Sequence, residues 1–107
     1  ATSLAEAFKD HTDLPPYAYR PDHPFSTPLN SNAYLWARNL LATRLYQCPV
    51  IFLEPYVMNS TDFIERIRAG DYEGIKFIDG KNRRSVYREY AHAVADGLAS
   101  YYSSPHD

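Results

Sequence analysis

Residues 50–59 read VIFLEPYVMN and place a carboxylate, Glu54, inside the most apolar stretch of the chain. The β-branched and large apolar side chains before it predict a strand over residues 49–54. Because this run is apolar on both faces, it is typical of a covered strand in a parallel sheet. Pro55 cannot donate to a strand ladder, so we expect the strand to end there with Glu54 facing a crevice.

The carboxylate of Glu54 needs a chemical reason to stand beside apolar residues. An ionised carboxylate in such surroundings is costly unless it is paired, hydrogen-bonded or close to a metal. Open α/β sheets place their ligand sites at the carboxyl ends of strands, which makes Glu54 a candidate functional residue. Two other interpretations stay open: an ion pair with Arg38, Arg44 or Arg66, or exposure to solvent at a strand end.

Two helices are predicted at the ends of the chain. Ser3 and Glu6 form a capping-box pattern, and the apolar spacing that follows predicts a helix over about residues 4–11. Ser85 is placed to cap a longer helix, in which apolar residues recur at three- and four-residue spacing as far as Tyr101.

The middle of the chain is less regular in its pattern. Ser31 or Asn32 could cap a helix through residues 33–37, whereas residues 39–44 could continue that helix or form a short strand. A third helix is predicted to begin in residues 59–62, with Asp62 and Glu65 as a capping box, and to stop at Gly70. Residues 71–84 are expected to be irregular, with Gly74, Asp79 and Gly80 as turn residues.

This order of elements predicts an α/β fold with a mainly parallel sheet flanked by helices. The chain itself would supply only one or two strands, so most of the sheet would lie outside it. It also begins with Ala1, and its single methionine is Met58. We therefore expect residues 1–107 to be a processed form or a fragment of a larger single domain.

Composition limits the possible partners. The net charge of −2 gives no electrostatic argument for nucleic acid, so no nucleic-acid partner is predicted. With Cys48 as the single cysteine, neither an intramolecular disulfide nor a cysteine-based zinc site can form. No stretch approaches the roughly 18 apolar residues of a membrane span, and no signal peptide is recognisable.

Residues 12–30 form a predicted proline-rich loop that carries five of the eight prolines. This density of fixed backbone angles excludes a central strand or a regular helix. Tyr17 and Tyr19 lie in the loop, and whether such rings line a groove or fill a core stays open. His11 and His23 flank or lie within the loop and are candidate substrate contacts, although a loop of this kind can also be a simple linker.

Several segments resemble one family, the zinc-dependent N-acetylmuramoyl-L-alanine amidases that cleave bacterial peptidoglycan. Residues 49–54 resemble the proline, apolar strand and glutamate near the end of that catalytic domain, and residues 59–60 fall at its Asn/Ser turn. The run YAHAVADGLASY at 90–101 resembles its closing helix. Residues 3–5 resemble the start of the helix that follows the last zinc ligand of the family.

The resemblance implies that this chain is the C-terminal portion of an amidase-like catalytic domain. The family holds zinc through two histidines and a glutamate, which would lie upstream of residue 1, on a companion N-terminal segment of the same domain. Glu54 would act on the metal-bound water, and no metal ligand is expected in this chain. Tyr56, two residues after Glu54, occupies a position where the family usually has glycine, and it is a further candidate substrate contact.

The implied substrate is peptidoglycan or a muropeptide, and the implied location is the bacterial cell envelope or the outside of the cell. A second hypothesis belongs to a different class of protein. The chain could be a non-catalytic relative that binds a glycan or a protein through its tyrosine-rich loop.

Overall fold

The computed structural model describes residues 1–54 and 60–104, which contain helices and short strands in mixed order. The helices are α1 (Thr2–His11), α2 (Leu41–Leu45), α3 (Thr61–Arg68) and α4 (Val86–Ser103). The strands are β1 (Ser26–Pro28), β2 (Trp36–Arg38), β3 (Lys76–Ile78) and β4 (Lys81–Arg83).

The strands form two antiparallel pairs, β1 with β2 and β3 with β4. No parallel sheet occurs within residues 1–54 and 60–104, so the prediction of a mainly parallel α/β fold is wrong. Each pair has only two strands of three residues, and sheets of this size depend on the surrounding structure for stability. The architecture is therefore a small helical assembly with two hairpin-like ribbons.

The predicted strand over residues 49–54 is also wrong, because these residues have no regular secondary structure. A strand that is apolar on both faces needs neighbouring strands to satisfy its backbone and layers to cover both faces. In the described residues the four strands pair only within their own ribbons. Ile51, Phe52 and Leu53 consequently remain between 40% and 48% exposed.

The core lies where α1 packs along α4. The buried side chains of its apolar cluster are Phe8, Leu14, Phe63, Val86 and Ala93. The two helices meet closely at Gly97, where a Cβ atom would lie 2.8 Å from the Leu4 Cα atom. Glycine is thus required by the close approach of the helix backbones.

Helices α1 and α4 confirm the predictions made from apolar spacing. Of the two predicted capping residues, only one caps its helix. The Ser85 hydroxyl accepts a hydrogen bond from the Arg88 amide, which is the expected cap of α4. Helix α1 begins at Thr2 after Ala1 and has no side-chain cap, so Ser3 does not act as the predicted capping residue.

Helix α3 also confirms its prediction, with a different cap. The Ser60 hydroxyl accepts from the Phe63 amide at 3.3 Å, whereas the prediction assigned the capping box to Asp62 and Glu65. The helix ends as expected before Gly70, whose φ of +70° lies in the left-handed region that favours glycine.

The helix predicted over residues 33–37 is wrong. The Asn32 side chain accepts a hydrogen bond from the Tyr34 amide at 3.0 Å and so stabilises a turn instead of a helix cap. The chain then enters β2, whose residue Trp36 pairs with Pro28 of β1. Residues 39–44, left open by the sequence, contain most of the short helix α2.

Residues 71–84, expected to be irregular, include the ribbon of β3 and β4. Asp79 and Gly80 connect the strands with φ angles of 48° and 80°. Two successive positive φ angles are typical of a type I′ turn, for which Asp-Gly is a preferred pair. The expectation of irregular structure was therefore wrong for this part.

No helix in residues 1–54 and 60–104 has both the length and the apolar character needed to cross a membrane.

Candidate active site

A cleft of about 730 Å³ lies between the start of α1, the proline-rich loop, β2 and the irregular segment before residue 55. Its wall is mostly apolar and aromatic, and it has few charged groups. The lining residues used below are Ala1, Tyr17, Tyr19, Trp36, Arg38 and Glu54. Clefts of this size, with apolar walls and a small number of polar groups, are typical of small-molecule sites.

Tyr19 is at the centre of an aromatic cluster along this wall. Its ring centroid is 5.1 Å from that of Tyr17 and 5.0 Å from that of Trp36, in edge-to-face geometry. The His23 ring lies 4.9 Å away on the same tyrosine. Edge-to-face contacts add to the stability gained from burial, so the rings hold one another in position.

Arg38 connects this aromatic cluster to Glu54. Its guanidinium lies over the Tyr19 ring, 4.8 Å from the centroid, and Nη1 donates to the Tyr19 hydroxyl. The same Nη1 lies 3.5 Å from Glu54 Oε2. The Arg38 side chain is 22% exposed and that of Glu54 is 68% exposed. Because Glu54 is so accessible, this ion pair is weak and leaves the carboxylate free to meet a ligand.

Ala1 lines the same cleft as Glu54. The chain therefore enters α1 at the cavity where its candidate carboxylate is found, although the two residues are 53 positions apart in the sequence. Residues joined to Ala1 on its N-terminal side would start from this cavity.

The other candidate residues do not converge on Glu54. His23 touches Tyr19, and its Nδ1 accepts from the Phe25 amide at 3.3 Å, but it is not part of the cleft lining. His11 is exposed at the end of α1 and borders a different cavity of about 410 Å³. Tyr56 lies outside the described residues.

The second cavity adjoins a network of ion pairs that sequence reasoning missed. Arg83 is 95% buried and donates to Asp13 at 2.7 Å and to Asp62 at 2.8 Å. Arg66 donates two hydrogen bonds to Glu89, at 3.0 Å and 3.3 Å. Helical spacing contains a signal for Glu89, because positions 86, 89, 93 and 97 lie on the buried face of α4.

Three titratable groups among residues 1–54 and 60–104 have shifted pKa values. Hydrogen bonds from Arg88 and then from Ser85 lower the pKa of Asp71, and the same contact with Asp71 raises the pKa of Arg88. Partial burial, followed by the charge of Asp13, raises the pKa of Tyr34. The Tyr34 hydroxyl donates to the Leu14 carbonyl at 2.5 Å, which fixes the ring at the cleft wall.

The described residues do not fit a zinc ion. Within residues 1–54 and 60–104, no three His, Cys, Asp or Glu side chains are grouped in a way that could hold a metal. What the cleft does offer is one accessible carboxylate, one guanidinium and a row of aromatic rings.

Comparison with family models, with curated proteins and with solved structures found no match for this chain.

Proposed function

We propose that this chain is the C-terminal part of a zinc-dependent N-acetylmuramoyl-L-alanine amidase domain, in which Glu54 is the catalytic carboxylate. The observation that supports this most directly is that Ala1 and Glu54 line one cleft. By the sequence resemblance, α1 corresponds to the helix that follows the last zinc ligand of the family. That ligand would therefore lie just before α1. A metal held there by a companion segment would lie at the cavity that contains Glu54.

The exposed apolar side chains beside Glu54 also support a companion segment. Ile51, Phe52 and Leu53 are 40–48% exposed although they form the most apolar run of the chain. Covering a large apolar side chain gains about 1.5–3 kcal/mol relative to leaving it exposed. A segment that covered these side chains would recover part of this free energy.

Glu54 has the accessibility that proton transfer requires. Its carboxylate can accept a proton from the attacking water and then give it to the nitrogen of the departing amine. The bond between the lactyl carbonyl carbon and the amide nitrogen breaks, this carbon gains the oxygen of the water, and the peptide leaves with a free amino group. Arg38 Nη1 lies 3.5 Å from Glu54 Oε2 and is the charged group within reach of this carboxylate on the cleft wall.

In this proposal, zinc would be bound by residues that precede Ala1, because the resemblance assigns the zinc ligands of the family to a segment upstream of the residues matched here. The proposed substrate is peptidoglycan or a muropeptide, and the proposed location is the bacterial cell envelope or the outside of the cell.

A second candidate function is glycan binding without catalysis. The observation that favours it is the aromatic cluster, because rings held edge to face present rigid apolar surfaces to a sugar. This function needs neither zinc nor the companion segment.

Experiments on the protein isolated from its source distinguish the amidase function from glycan binding without catalysis. Intact mass and N-terminal sequencing determine whether the polypeptide contains residues before Ala1 or travels with a second chain. Metal analysis and hydrolysis of a purified muropeptide are measured on the same sample. We expect the protein to contain zinc and to release a peptide with a free N-terminal alanine. A metal-free protein that binds the muropeptide without cleaving it would contradict the amidase proposal.

A further inference from the structure

Arg38 is only partly satisfied by its own protein. Both of its polar contacts, to Tyr19 and to Glu54, use the single nitrogen Nη1. Its Nε is buried and has no hydrogen-bond partner among the described residues. A buried donor without a partner is destabilising, and a guanidinium binds best to a planar anion through two donors at once.

The charges of the cleft are few and opposite. Among its described lining residues, Arg38 is the only basic side chain and Glu54 the only acidic one. Their separation of 3.5 Å is long for a charge-assisted hydrogen bond, and the Glu54 side chain is mostly in solvent. Glu54 is therefore a weak internal partner that an external carboxylate can replace.

The aromatic rings next to Arg38 favour a flat apolar face on the same ligand. Tyr17 is exposed, Trp36 is half-buried, and both line the cleft and contact the ring of Tyr19. Both rings are edge to face with the Tyr19 ring, at interplanar angles of 82° and 70°. A sugar ring placed against these side chains would bring a substituent within reach of the guanidinium.

We propose that Arg38 selects an amino sugar that bears a carboxylate, and that Glu54 competes with this carboxylate for the same guanidinium. The proposal rests on the proposed function in taking the cleft as the substrate site, and it adds the group that is recognised. The lactyl carboxylate of N-acetylmuramic acid has this chemistry. Amide hydrolysis generates that carboxylate from the lactyl amide, so the cleft would retain the glycan product.

The competition gives Arg38 and Glu54 opposite effects on affinity. Removing the guanidinium removes the selected contact, whereas neutralising Glu54 removes both its competition and its repulsion of an anionic ligand. A residue that only stabilised the cleft would lower affinity when changed and could not raise it.

The test is a calorimetric or NMR titration of the metal-free chain with N-acetylmuramic acid and with N-acetylglucosamine, which lacks the lactyl group. We expect N-acetylmuramic acid to bind about tenfold more tightly or better, as a charge-assisted hydrogen bond would give. Arg38→Gln should remove this preference, and Glu54→Gln should increase it. Arg20→Gln is the matched control, since Arg20 is exposed, pairs with Asp22 and does not line the cleft.

Equal affinity for the two sugars would overturn the proposal, as would a preference unchanged in Arg38→Gln. If that variant does not fold, as judged by circular dichroism, Glu54→Gln decides alone, and weaker or unchanged binding of N-acetylmuramic acid contradicts the competition. The titration involves no hydrolysis and no metal. The two proposals can therefore fail separately. If the titration shows the preference for N-acetylmuramic acid but the protein from its source contains no zinc and does not cleave muropeptide, the amidase function is refuted and the carboxylate selection is not.

Discussion

Arg66 on α3 and Glu89 on α4 form an ion pair inside the protein, with Arg66 Nη2 3.0 Å from Glu89 Oε2. Their side chains are 1% and 6% exposed. Glu89 Oε1 also accepts from the Asp13 amide at 2.9 Å, so the pair joins both helices to the segment after α1. This junction connects α3 and α4 to the segment that leads from α1 into the proline-rich loop.

Removing one partner of the pair should destabilise the protein strongly. We expect Glu89→Ala to lower the free energy of unfolding by about 3–5 kcal/mol, because it leaves the Arg66 guanidinium buried without a counter-charge. Urea denaturation followed by circular dichroism measures the change. Glu65→Ala is the control, since Glu65 pairs with Arg68 at the same 3.0 Å on the surface and should lose at most about 1 kcal/mol.

The contact between Gly97 and Leu4 predicts a second stability effect. Gly97→Ala should destabilise the protein by about 1–3 kcal/mol through overpacking. The added Cβ would lie 2.8 Å from both Leu4 Cα and Leu4 Cδ2, and the Cα cannot move without shifting α1. Thermal unfolding compared with Asp96→Ala, an exposed neighbour on α4, measures the effect. If Gly97→Ala is as stable as that control or more so, then gained helix propensity outweighs the clash and the packing described for α1 and α4 is wrong.

Asp71 predicts a pH dependence with a defined sign. Its pKa is lowered from the usual 3.8 by hydrogen bonds from Arg88 and Ser85. A lowered pKa in the folded state means that the contribution to stability is complete above pH 3.8 and is lost as the pH falls through the folded-state value.

The corresponding experiment compares melting temperatures of the wild type and Asp71→Asn. We expect the wild type to melt higher at pH 6 and the difference to shrink below pH 3.8. Glu73→Gln serves as the control, because Glu73 is 89% exposed and only 4.0 Å from Arg88. A difference between Asp71→Asn and wild type that stayed constant down to pH 2 would show that ionisation of Asp71 is not its cause.

The sequence was sufficient to predict the elements whose stability depends on local signals. Helices α1, α3 and α4 follow from the apolar spacing within each segment. Ser85 caps the start of α4 with a hydrogen bond inside one turn, and Gly70 follows α3 with a positive φ angle, so both signals are local. The predicted turn at Asp79 and Gly80 is equally local, and the residue preferences of type I′ turns could also have predicted the β3–β4 hairpin around it.

The errors concern interactions between distant residues. The apolar run 50–53 predicts a strand only if partner strands exist, and none pairs with it in the described residues. Trp36 became a strand residue because of its pairing with Pro28. At the candidate site, an ion pair between Glu54 and Arg38 was one of the interpretations that the sequence left open. The sequence could not predict that Ala1 and Glu54 line the same cleft, because their proximity depends on tertiary structure.

The amidase proposal is tested most directly by the rate of muropeptide cleavage in the zinc-containing protein, compared between Glu54→Gln and wild type. We expect a fall of about 10²–10⁴-fold, the usual contribution of a general acid–base, with zinc content unchanged. Glu6→Gln, on the exposed surface of α1 and outside the cleft lining, should retain the wild-type rate. A Glu54→Gln protein that keeps its zinc and cleaves at the wild-type rate would contradict the catalytic role of Glu54.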